Sequence, residues 1–222
     1  MNACILTCSS LTEFVQAAQR SQGTALPVYE VDRKLHAEPG EMRMAIAGLI
    51  ASLDPRFDTV LVAMGFCGGA WDHVRFDRWV VIPRVDDCVS LLLQTDDEFC
   101  PNRKEPGHLY LFENDPKDFS ALTLLRDFSL AGQEYKDLNH DYLFHMWFDS
   151  YRHMDIIDTG FNDCYSVPYV EAAQQEADKI HAELDYVPGS NRILEKLVSG
   201  SWDDQFLVAE PGHELIHGDF FG

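Results

Sequence analysis

The chain has 222 residues, 46% hydrophobic and 24% charged, enough apolar content for a sizeable buried core. With 37 acidic against 17 basic side chains its formal charge is -20, so a polyanion is repelled over most of the surface and nucleic acid is excluded as an expected partner. No apolar run has the length of a membrane span, and the start MNACILTCSS lacks the basic leader of a signal peptide, so the expectation is a cytoplasmic protein with no membrane partner.

In chain order, ACILTC (residues 3 to 8) predicts a strand, followed by a helix through LTEFVQAAQ with Ser10 as N-cap and Glu13 closing a capping box. ALPVYEV (25 to 31) predicts a second strand. RKLHAEPGE, with His36, leads into a helix from Glu41 to Leu53 whose Met42, Ile46, Leu49, Ile50 and Leu53 share one face. TVLVAMGF from Thr59 is apolar throughout, as a central strand covered on both faces would be. Gly65, Gly68 and Gly69 around Cys67 suit a tight turn. WVVIP predicts a fourth strand, and Cys88 then falls in the first turn of a helix carrying Val89, Leu92 and Leu93. The helix dipole there favours a thiolate, and Asp86 and Asp87 oppose it.

HLYLFEN (108 to 114) predicts a fifth strand, followed by helices over about 118 to 132 and 135 to 153. In the second helix Phe144, Trp147, Phe148 and Tyr151 fall at helical spacing and are assigned to core. MDIIDTG is a sixth strand, and a helix begins at or just before Pro168. DYVPG, a helix from Arg192 to Leu197 and QFLVAEPG complete the pattern. This alternation predicts one α/β domain over 1–222, with a mostly parallel sheet flanked by helices on both faces.

The six cysteines (Cys4, Cys8, Cys67, Cys88, Cys100, Cys164) are expected as thiols in a reducing compartment. A buried free cysteine usually acts as a small hydrophobe, so chemistry has to rest on where several of them converge. Cys8, Cys67 and Cys88 all follow the carboxyl ends of predicted strands, the edge at which open α/β sheets bind ligands. Soft thiolates select zinc, iron-sulfur clusters or other thiophilic metals, and His36, in a loop at the same edge, completes a four-ligand set. No Cys-x-x-Cys pair is present.

Three competing motifs are weaker. His213-Glu214-Leu215-Ile216-His217 spells H-E-x-x-H, but Pro211, Gly212 and Gly218 crowd it, leaving a poor helix for a catalytic zinc. Asp141 and His145 share a helical face, which suits a solvated surface as well as a ligand pair. The turn at Gly68 and Gly69 lacks a P-loop lysine and is followed by Asp72 and Asp77, so phosphate binding is discounted.

The segments LHAEPGEM, MGFCGG, VVIPRVDDCVSLLL, DTGF and WDDQFLVAEPG resemble a prokaryotic family catalogued as domain of unknown function 1638. The resemblance implies candidate residues His36, Cys67, Arg84, Asp87 and Cys88, with Cys8 added. This chain departs from the family pattern at Asp86, where histidine is usual, and at Gly69-Ala70, where asparagine-glycine is usual. Genes of the family often neighbour those of corrinoid-dependent methyltransferases, which implies a corrinoid methyltransferase system as partner.

The resulting expectation is a protein that binds a metal ion (zinc or iron-sulfur) or a metallocofactor such as a corrinoid through Cys8, His36, Cys67 and Cys88. Arg84 would hold an anionic group or lock the loop through Asp86 or Asp87, and Asp87 would orient a ligand. Two other classes stay open: a metal-free cysteine transferase or hydrolase using Cys67 or Cys88, and an interaction subunit without a catalytic pocket.

Overall fold

A computed structural model describes residues 2–119, 121 and 140–222. The chain divides into two compact units, Met1–Arg103 with Ser190–Gly222, and Lys104–Gly189.

The first unit is built on a five-stranded sheet. Its strands are β1 (Ala3–Cys8), β2 (Val28–Val31), β3 (Thr59–Ala63), β4 (Trp79–Pro83) and β8 (Phe206–Ala209), in the order β2-β1-β3-β4-β8. The first four run parallel, and β8 pairs antiparallel with β4. Every residue of β1 and β3 is buried, as the two continuous apolar runs require of strands covered on both faces. The chain steps outward from β1 to β2 through helix α1 (Thr12–Gln22) and returns past β1 to β3 through α2 (Pro39–Ser52). Right-handed crossovers in opposite directions put α1 and α2 on opposite faces. Helix α6 (Arg192–Ser199) packs beside α1 and against β3 and β4. Short helices α3 (Cys88–Leu92) and α7 (His217–Phe221) complete the unit.

The second unit is a parallel sheet of β5 (His108–Leu111), β6 (His153–Asp158) and β7 (Glu183–Pro188), with helices α4 (His140–Phe148) and α5 (Val167–Asp178). Its core gathers Leu111, Met154, Ile156, Tyr169, Ala173 and Phe148, with Phe144, Trp147 and Tyr151 packed against it, so the aromatic stripe of α4 is core. Buried Asp155 holds His108 through Nδ1 at 2.7 Å, a pair the sequence pattern does not signal. Most of the predicted helix over 118 to 132, the first residues of the one from 135, and the side chain of Asp141 lie outside the described residues. The chain is thus an α/β protein with mostly parallel sheets. No helix among the described residues is long and apolar enough to cross a membrane.

Two local expectations change. Ser10 is not an N-cap: residues Ser9–Leu11 form a 3-10 turn ahead of α1, and no side chain caps either element. The fourth strand's last neighbour runs antiparallel, a direction that QFLVA does not encode.

The strand order reverses between β1 and β3, and the carboxyl ends of strands at such a point are where open α/β sheets bind ligands. There the turn after β3 lies directly on the turn after β4. A Cβ added to Gly65 would sit 2.5 Å from Cα and 2.6 Å from N of Asp87, so only glycine admits this approach. Two hydrogen bonds run across it, from Phe66 N to the Val85 carbonyl at 2.9 Å and from Cys67 N to the Asp86 carbonyl at 2.7 Å. Because the obstacle to a larger residue is backbone, Gly65→Ala is expected to destabilise the protein by about 3 kcal/mol, the upper part of the range for overpacking. Urea denaturation checks this; a loss within error of zero would show that the two turns separate freely.

Candidate metal centre

Cys8 is the last residue of β1 and is fully buried. His36 lies in the 3-10 turn Arg33–Ala37 that follows β2, opened by Asp32, whose carboxylate accepts from Lys34 N at 2.9 Å. The turn carries the imidazole back toward β1, and His36 Nε2 stands 3.4 Å from Cys8 Sγ. Cys88 opens α3 and is 4% exposed. The ligand atoms of Cys8, His36 and Cys88 all lie within 4.8 Å of one another. A zinc ion with its usual bonds to sulfur and nitrogen at a tetrahedral angle sets those two atoms about 3.5 Å apart. The spacing of Cys8 and His36 therefore fits two ligands of one ion.

Cys67 stands beside this group. Cys88 lies close enough to both Cys67 and Cys8 for each neighbouring thiol to shift its ionisation. Cys67 holds φ at 50°, the left-handed region that a residue with a side chain seldom adopts. Gly68 and Gly69 continue the turn with φ of 65° and 92°, and Arg43 of α2 donates to the Gly69 carbonyl at 2.7 Å. Phe66 anchors the near side against Phe220 at 4.8 Å and Phe221 at 5.5 Å.

The electrostatics keep the thiols of Cys8 and Cys88 protonated. The hydrogen bond to Cys88 and then burial push the Cys8 thiol well up. For Cys88 the hydrogen bond to Cys67 raises the value most, the one to Cys8 lowers it, and burial raises it again, with a net shift well upward. Buried thiols packed together cannot all carry negative charge unless a cation joins them.

Arg84 and Asp87 both have partners within the fold. Arg84 Nε donates to the Asp219 carbonyl at 2.9 Å, Nη1 to the Asp204 carbonyl at 3.3 Å, and the guanidinium lies 4.1 Å from the Phe99 ring centroid. Asp87 caps α3 by accepting from Ser90 N at 2.8 Å. Asp86 N donates to the Pro101 carbonyl at 2.8 Å.

The H-E-x-x-H letters do not assemble. Glu214 binds His73 at 2.5 Å and also Arg75, His213 binds Asp219 at 2.9 Å, and His217 begins α7 with its ring 4.4 Å from that of Phe221. His145 faces Asp149 at 3.2 Å. Two contributors escape the sequence patterns. Ser10 Oγ lies 3.0 Å from Cys8 Sγ, and Arg43 steadies the Cys67 turn. Arg43 had one signal, as the single charge between Glu41 and Asp54.

Fold and site together define an α/β protein with a Cys-His-Cys group, at the carboxyl edge of its sheet, close enough to hold a metal. The chain belongs to the family described as Protein of unknown function (DUF1638), whose model matches residues 31–198. That span includes His36, Cys67 and Cys88, while Cys8 precedes it. No curated protein and no solved structure matches the chain.

Two outcomes follow from these environments. The raised thiol values mean that the folded metal-free protein keeps protons which the unfolded chain releases. Their contribution is fully present below about pH 9 and is lost as pH rises through the folded values. Burial of Cys4, which lifts its thiol to about 11, adds to the same trend. Urea midpoints should therefore fall above pH 9, with a shallower fall in Cys8→Ala and Cys88→Ala; a flat profile in the parent would contradict the assignment. Arg84→Ala is expected to cost about 2 kcal/mol through its lost charge-assisted bonds, with metal stoichiometry unchanged. A variant that keeps full stability and loses metal would instead place Arg84 at the ligand.

Proposed function

We propose that the protein binds a single soft divalent ion, zinc above all, through Cys8 Sγ, His36 Nε2 and Cys88 Sγ, with Cys67 beside the fourth position. The observation that carries this reading is the convergence of three donors, from the end of a strand, a 3-10 turn and the start of a helix, within 4.8 Å of one another. Such closeness favours one ion. Iron-sulfur clusters spread their ligands over two or more irons, and thiolates normally supply most of them. The depth of Cys8 and Cys88 argues against a corrinoid macrocycle at the same atoms. A supporting part in corrinoid-linked methyl transfer would then belong to the loaded metal acting on a small molecule, with three protein ligands and a fourth place for substrate or Cys67.

A second reading rests on the backbone of Cys67. A left-handed residue in a glycine-lined turn after a buried strand resembles the strained elbow that presents a nucleophile. In that reading Cys67 attacks substrate without metal, and Cys88 donates a hydrogen bond to its thiolate.

Elemental analysis of tag-free protein purified without oxygen separates the two. The metal reading expects one ion per chain. Cys8→Ser, His36→Ala and Cys88→Ser should each weaken binding by about a hundredfold or more, whereas Cys4→Ser and Cys164→Ser should keep it. Cobalt substitution should show sulfur-to-metal charge transfer that weakens in Cys88→Ser and disappears when Cys8 and Cys88 are both replaced by serine. If reconstituted wild-type protein holds no metal, while Cys67 alone is alkylated at neutral pH, the nucleophile reading replaces it.

A further inference from the structure

Cys8 and Cys88 come from distant parts of the chain, the last residue of β1 and the first of α3, yet their sulfurs lie within 4.8 Å of each other. Both are free thiols. Their backbones are held in place: Cys8 pairs with Val31 in the sheet, and Asp87 caps the helix that Cys88 opens. Disulfide sulfurs stand about 2.05 Å apart, and one step between staggered rotamers moves a cysteine sulfur by about 3 Å. The gap that remains is within that reach. His36 Nε2, 3.4 Å from Cys8 Sγ, and Ser10 Oγ, 3.0 Å from it, are placed to move the Cys8 proton.

We propose that Cys8 and Cys88 form a redox pair, which a hydroperoxide closes to a disulfide and a dithiol opens again, and that closure expels the bound ion. Cys88 Sγ, the less buried of the two, attacks one oxygen of hydrogen peroxide. An S–O bond forms, the O–O bond breaks and water leaves. Cys8 Sγ then attacks the Cys88 sulfur; the S–S bond forms, the S–O bond breaks and the hydroxyl leaves as a second water. Each sulfur gives up one electron, the two oxygens take up both, and the two thiol protons end in the two waters. A dithiol reverses this by returning two hydrogens and becoming a disulfide itself. In the loaded protein both sulfurs start as thiolates, so solvent supplies the protons as the ion departs. A disulfide sulfur carries no charge and is no ligand, which leaves His36 alone and lowers metal affinity by at least about a hundredfold. Peroxide is little larger than water, and the half-buried His36 marks the side from which it reaches the pair. The pairing stands on the geometry of the two thiols; the release of the ion rests on the metal reading of the same atoms.

Hydrogen peroxide, added to the full chain purified without oxygen, tests both halves, once on zinc-loaded and once on metal-free protein. The expected result is loss of two of the six thiols and one pair of linked peptides, carrying Cys8 and Cys88. In the loaded sample one equivalent of zinc should appear in step with that loss, read with a chromogenic chelator. Dithiothreitol should restore both thiols and, with zinc added, the bound ion. The linkage is mapped in the parent protein, so the folding of a variant does not enter the result; Cys4→Ser should keep the linkage and Cys88→Ser should remove it. A bond between Cys67 and Cys88, or oxidation with no linked peptide, overturns the proposal. A Cys8–Cys88 bond with zinc still held overturns the release. If the metal-free chain forms that bond and the reconstituted chain never takes up zinc, the metal reading fails and the redox pair stands.

Discussion

The candidate centre depends on one close approach, the backbone of Gly65 against the backbone of Asp87. It extends the pairing of β3 and β4 past the strand ends, through the bonds from Phe66 and Cys67 to the carbonyls of Val85 and Asp86. In parallel sheets the chain normally turns away from the layer at that point. Here the two turns stay together past the strand ends, and Cys67 and Cys88 come close enough to affect each other's ionisation as a result. Cys8 meets them because β1 lies beside β3, at the place where the strand order reverses. A side chain at position 65 would wedge the turns apart and dissolve the group without touching any ligand.

That arrangement carries a cost which a bound cation would offset. Three thiols share a buried space, and Cys67 takes a backbone conformation that costs about 1–3 kcal/mol in a residue other than glycine. Burial and mutual hydrogen bonds hold the protons of Cys8 and Cys88 in place, so the pocket resists negative charge until positive charge arrives. The exterior has the opposite character. A surface of charge -20 raises the local concentration of cations around the molecule, and the neutral thiol pocket lies inside it.

How far the sequence pattern reads depends on whether a feature is local. Strand-helix alternation is local, and β1, β3, β4 and β6 fall where their apolar runs lie. The placing of Cys8, Cys67 and Cys88 after strand ends is local as well, and it singles out two of the three donors that converge, with His36 the third by virtue of its loop. Roles that depend on distant partners were not legible in this way. Ser10 carries the letters of a cap but stands beside Cys8, because a 3-10 turn intervenes before α1. Arg84 sits in a block that suggests anion binding, and its guanidinium also donates to carbonyls 120 and 135 positions away. The H-E-x-x-H letters fail for the complementary reason: Glu214 is drawn into a bridge with Arg75, and helix begins only at His217.

The sequence by itself determined an α/β protein with thiols gathered at the carboxyl edge of its strands, because hydrophobic period and turn chemistry act over a few residues. Only the tertiary structure decided that Cys8, His36 and Cys88 close to the spacing of one ion while Cys67 stands beside them. It also decided that β8 runs antiparallel and that the chain forms two units. Those outcomes are set by strand order, by backbone contact at Gly65 and by side chains meeting across long stretches of chain, where no local pattern of residues specifies a distance.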